Sequence, residues 1–137
     1  MTDGFKYFSV MLVDDNEIDN IINSKMIEAS GLAEVTYTHN SASGAIDFLK
    51  NIVKLPNTDA EKNVLPAFIF LDIDMPMMDG FQFLEEFEKL DSNLQASTKI
   101  IMLSASINPR DKERAETYKN FVKFINKPLR ESELIQL

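Results

Sequence analysis

Residues 8–13 read FSVMLV, almost without a polar side chain, and the chain then turns to Asp14-Asp15-Asn16. An apolar run closed by residues that favour helix starts predicts a fully buried strand followed by a helix. Such runs suggest a parallel sheet covered on both faces. Residues 17–30 place Ile18, Ile21, Ile22, Met26 and Ala29 at the spacing of an amphipathic helix, with Gly31 as its stop. Residues 33–38 (AEVTYT) have strand character. Ala42, Ala45, Ile46, Leu49 and Val53 then mark a second helix, capped by Ser41 or Ser43.

The stretch 55–66, with Pro56, Asn57, Asp59, Asn63 and Pro66, has no periodicity and reads as a long loop, a tolerated surface insertion in preference to a partner-specific contact. Residues 67–71 (AFIFL) form the next apolar run and end in Asp72, after which Pro76 and Asp79-Gly80 punctuate a loop. Phe83, Leu84, Phe87 and Leu90 mark a third helix, the run 99–103 (KIIML) leads to Ser104, and a polar helix begins near Pro109. A fifth strand at 121–125 ends at Lys127-Pro128, and a short last helix occupies 133–137. Alternating strands and helices predict an α/β, doubly wound, five-stranded parallel sheet with right-handed crossovers.

A chain of 137 residues predicts one domain over 1–137, with no room for a second, output domain. A hydrophobic fraction of 45% fills a core and 26% charged residues cover it. No run approaches the roughly 20 apolar residues of a membrane span, and the N-terminus lacks a signal-peptide pattern, so the expectation is a cytoplasmic protein without membrane contact. The lack of Cys excludes disulfides and thiolate metal sites. A net charge of −8 speaks against a nucleic-acid partner, because phosphate contacts need clustered Lys and Arg.

The polar residues that interrupt the apolar runs change the picture more. Asp14 and Asp15, Asp72, Ser104 and Lys127 all follow strands, and in an open parallel sheet the carboxyl ends of the strands converge on one edge where ligands bind. Singly, each has a plainer role as a helix cap or loop residue. Together they are chemically coherent. Clustered carboxylates repel unless a hard divalent cation such as Mg²⁺ neutralises them. A carboxylate beside that cation can attack phosphorus, giving an aspartyl phosphate, while Lys127 and the Ser104 hydroxyl contact the transferred oxygens.

The segments LVDDNE, LDIDMPMMDGFQFL, IIMLSAS and FINKPL match, in order and spacing, the motifs of the response regulator receiver family, which the chain resembles over essentially its whole length. The resemblance implies a flavodoxin-like sheet of order 2-1-3-4-5 and a two-component or phosphorelay switch. Its phosphohistidine donor would be a sensor histidine kinase or a histidine phosphotransfer protein, and it would act by docking to a downstream protein target. It further implies Asp72 as phosphoacceptor, Asp14 and Asp15 as metal acids, and the backbone carbonyl of Asp74 as a further metal ligand. Lys127 would pair with the phosphoryl group, and Ser104 with Phe124 would form the switch. Such a protein catalyses its own phosphorylation and slow dephosphorylation and is no ordinary enzyme. The acidic Asp74, two residues after the acceptor, and the short last helix depart from the family's pattern.

The alternative is a haloacid-dehalogenase-like phosphatase, whose nucleophile and acid pair Asp72 and Asp74 would supply. In that family the pair opens the domain and its metal acids follow, whereas Asp14-Asp15 precede. A degenerate receiver is opposed by all the site residues, and an acid-cluster nuclease by the charge balance. His39 reads as ordinary surface, Met75, Met77 and Met78 as loop packing beside the site, and Phe83, Leu84 and Phe87 as core.

Overall fold

The apolar runs pair with one another. In the computed structural model, which describes residues 4–55, 64–105 and 107–137, β1 (Tyr7–Val13) lies between β2 (Ala33–His39) and β3 (Phe68–Asp72). β3 pairs with β4 (Lys99–Ser104), and β4 with β5 (Phe121–Asn126). All pairs are parallel, in the expected order 2-1-3-4-5. The helices are α1 (Glu17–Ser30), α2 (Ala42–Ile52), α3 (Gly80–Phe87), α4 (Ser92–Ser97), α5 (Pro109–Ala115) and α6 (Glu131–Leu134). Among the described residues no helix is long and apolar enough to cross a membrane.

Why the runs are continuously apolar follows from the pleat. Side chains alternate between faces, and both faces here are covered. Met11, Val13, Ile69, Leu71, Ile100 and Met102 join one core with residues of α2, α3 and α4. Val10, Leu12, Phe68, Phe70, Ile101 and Leu103 join the other, with Ile27 of α1 and Leu134 of α6. Phe70, Phe83 and Phe87 are fully buried, each contributing roughly 1.5–3 kcal/mol of transfer free energy.

The helices depart from expectation in instructive places. α1 runs over the expected residues, capped by Asn16 at its start and by Gly31 in the left-handed region at its end. Its apolar positions, however, do not face the core: Ile18, Ile21, Ile22 and Met26 are exposed, Ile18 by 67%. The buried positions are Asn20, Asn23 and Ile27. The Asn20 side-chain amide donates to the Asp14 carbonyl at 2.7 Å, and the Asn23 side-chain carbonyl accepts from the Leu129 N–H at 3.0 Å. Two asparagines face inward because they satisfy backbone groups of the segments that follow β1 and β5.

Ser41, not Ser43, caps α2. α3 begins at Gly80 under an Asp79–Gln82 capping box, earlier than its apolar positions indicate, and Leu90 lies beyond its end. A side chain at Gly80 is ruled out because a Cβ would come within 2.9 Å of the Asp72 carbonyl oxygen. α4, capped by Asp91, has no counterpart among the elements that the sequence pattern predicts, because a single buried apolar residue, Leu94, carries its periodicity. Of the long loop, 56–63 lie outside the described residues, and its C-terminal end is tied down where the Val64 carbonyl accepts from Ser9 and Tyr37.

Candidate functional site

The site grows out of the strand ends. Asp14 follows β1 directly and is fully buried, Asp72 is the last residue of β3 at 5% exposure, and Ser104 is the last of β4. Lys127 follows β5, and its N–H donates to the Ser104 carbonyl at 2.9 Å, which extends the ladder one residue past the strand. The next peptide bond, Lys127–Pro128, is cis. Parallel pairing therefore brings together residues separated by more than a hundred positions.

Lys127 crosses the edge to the acids. Its Nζ lies 2.7 Å from Asp14 Oδ2 and 3.0 Å from Asp72 Oδ1. A further carboxylate, Asp19 of α1, stands at 3.2 Å. Asp14 Oδ1 accepts from the Asn16 N–H at 2.9 Å, which fixes its rotamer at the helix start. Asp15 is exposed, yet oxygens of Asp14, Asp15 and Asp72 all lie within 4.8 Å of one another.

The electrostatics follow from that crowding. Burial pushes the Asp72 carboxyl up to about 6; the Lys127 hydrogen bond pulls it back, and the charges of Asp14 and Asp15 push it up again. Burial alone would lower Lys127, but hydrogen bonds to Asp14 and Asp72 outweigh it and hold the ammonium charged well above its usual range. At neutral pH the site is thus a set of anions around one fixed cation. The donor set suits a hard divalent cation: three carboxylates offering converging oxygens, with no sulfur or imidazole among them.

The geometry brings Asp14, Asp15, Asp72 and Lys127 together, and places Ser104 on the neighbouring strand end at 5% exposure. The Asp74 carboxylate is exposed and stands outside the group of three. Phe124 is half-buried on β5, opposite Met102, with its ring edge-on to Phe121 at 5.2 Å. His39 is not ordinary surface: its ring packs 4.9 Å from Phe48, and burial lowers its pKa. Of the methionines beside the site, Met75 is buried and Met78 packs against the core, while Met77 is wholly exposed at φ 71. Asp19 is a site residue that the strand-end pattern does not indicate. The signal available was its place in the first turn of a helix that leaves the sheet at Asp14-Asp15.

Known proteins carry the same architecture. The model of the response regulator receiver domain matches residues 10–137. The histidine kinase CKI1 of Arabidopsis thaliana is 28% identical over 79% of this chain, which spans a tenth of the kinase's length. A two-component response regulator from Cytophaga hutchinsonii is 27% identical, with TM-score 0.83 over 96% of this chain and 93% of that one. The receiver domain of CKI1, solved complexed with Mg²⁺, superposes with TM-score 0.81 over 98% of this chain and 94% of that one; at 21% identity it shares the fold.

Proposed function

Since the chain belongs to the response regulator receiver family, the signalling switches of two-component systems, we propose that Asp72 accepts a phosphoryl group from a phosphohistidine. The observation that carries this reading is the Lys127 ammonium held between Asp72 and Asp14 within a cluster of carboxylates. In the step, an Asp72 carboxylate oxygen forms a bond to phosphorus as the phosphorus–nitrogen bond of the donor breaks. The imidazole nitrogen keeps the electron pair and the ring takes a proton from solvent, so the donor leaves as a neutral imidazole. Lys127 N–H and the Ser104 hydroxyl donate to phosphoryl oxygens as their charge shifts, stabilising the transition state more than the ground state. Asp14, Asp15 and Asp72, with the Asp74 backbone carbonyl, would hold Mg²⁺. When bound, that ion supplies positive charge against the acids and the phosphoryl oxygens. Hydrolysis later places a water oxygen on phosphorus and restores the Asp72 carboxylate.

The donor is a histidine kinase or histidine phosphotransfer protein, and the output is a protein partner in the cytoplasm; the charge of −8 supports a protein over a nucleic acid. The phosphatase alternative loses ground because the Asp74 carboxylate stands outside the acid group. For the test, wild type and Asp72→Asn are incubated with acetyl phosphate and MgCl₂ and weighed by intact-protein mass spectrometry. Wild type gains one phosphoryl mass and Asp72→Asn gains none. Equal modification of both would remove Asp72 from its role.

A further inference from the structure

An ammonium has three N–H donors, and the Lys127 Nζ is ringed by three carboxylates, Asp14 at 2.7 Å, Asp72 at 3.0 Å and Asp19 at 3.2 Å, with a hydrogen bond donated to Asp19 Oδ2. Two of these acids belong to the converging group. Asp19 does not. It sits in the first turn of α1 with 36% of its side chain exposed. Its backbone N–H already has a cap in the Asn16 side chain at 3.0 Å, so the helix start does not depend on its carboxylate. We infer that Asp19 is a positioning residue that competes with the phosphoryl group for Lys127 and so weakens the phosphorylated state; this rests on Asp72 being the phosphoacceptor.

When Asp72 carries a phosphoryl group, its new oxygens need N–H groups of Lys127, and the one donated to Asp19 is engaged elsewhere. With Mg²⁺ held as proposed above, Asp14 and Asp72 have that ion as a second cationic partner, so Asp19, outside the converging group, is the acid left competing for Lys127. Asp19 lies at the water edge, where hydration compensates its release. Its charge also repels the incoming phosphoryl dianion. Competition and repulsion have the same sign: both favour the unphosphorylated state. Substituting Asp19 by a neutral isostere therefore frees Lys127 and strengthens the hold on the phosphoryl group.

The test is beryllofluoride affinity in excess MgCl₂, read by ¹⁹F NMR, for wild type, Asp19→Asn, Asp19→Glu and Glu17→Gln. Glu17 is an exposed acid of the same turn that makes no ion pair among the described residues, so its variant reports general charge removal. Asp19→Asn is expected to bind roughly two- to fivefold more tightly, the size of a partly exposed ion pair. Asp19→Glu, which keeps the charge, returns toward wild type, and Glu17→Gln stays near it. Binding by Asp19→Asn that is unchanged or weaker overturns the inference and leaves the reading of Asp72 standing. An equal gain in Glu17→Gln also overturns it, since the contact would then be irrelevant. Wild type that binds no beryllofluoride overturns both.

Discussion

Asp72 is a carboxylate that the fold makes reluctant to ionise. Its pKa rises from 3.8 to about 6, burial being the largest cause, so the native state holds this proton to a higher pH than the unfolded chain does. The sign follows from linkage: stability from Asp72 is fully present below about pH 4 and is lost as pH rises through about 6. A shift of this size corresponds to on the order of 2 to 3 kcal/mol. Denaturant unfolding in EDTA at pH 4 and pH 7 should therefore cost wild type more stability than Asp72→Asn, which has no proton to lose. Parallel losses in the two proteins would show that Asp72 is not the strained acid. The residue scale also explains why Lys127 was legible in sequence and Asp19 was not. A Lys-Pro pair after an apolar run stands out, whereas an acid in a helix's first turn is ordinary, being favoured there by the helix dipole.

Elements were legible where burial is two-sided. β1, β3 and β4 announce themselves because both faces are covered and favour apolar side chains, and the structure starts or ends them within a residue of the apolar runs. α1 was legible as a helix but not in its orientation. Its strongest apolar stripe points outward, and Asn20 and Asn23 point in. Periodicity records that one face is apolar; the partners available across the interface decide which face is buried. Substitution separates the two. Ile22→Ser, at an exposed position, should change stability by less than about 0.5 kcal/mol, while Ile27→Ala should cost about 2 to 5 kcal/mol. Asn23→Ala should cost about 1 to 3 kcal/mol, because it strands the buried Leu129 N–H. Comparable losses at Ile22 and Ile27 in thermal and urea melts would place the outer stripe in the core after all.

For the molecule as a whole, the acids at one sheet edge outnumber the Lys127 ammonium set among them, and their residual repulsion opposes folding. Divalent metal should stabilise the native state by mass action, by about 1.4 kcal/mol at tenfold above its dissociation constant. Asp15 is exposed, so Asp15→Ala should leave the melt in EDTA nearly unchanged and lose the increment in MgCl₂. A wild-type melt indifferent to MgCl₂ would remove the metal from the site. The output should travel through β5. If phosphorylation draws Ser104 inward and Phe124 into the space it leaves, Phe124→Ala should be phosphorylated normally yet lose most of the phosphorylation-dependent gain in partner affinity. Its unphosphorylated and phosphorylated forms would then bind alike in calorimetry, and a full wild-type response would rule that path out.

The sequence by itself determined the fold class, the strand-by-strand placement of Asp14, Asp72, Ser104 and Lys127, and the family, because a two-sided sheet writes its strands as unbroken apolar runs and its ligand edge as the polar residues that end them. The tertiary structure decided which face of α1 is buried, where α4 forms, and that Lys127 is shared by Asp14, Asp72 and Asp19. Those outcomes depend on distances between side chains far apart in the chain, and no local pattern encodes a distance of that kind.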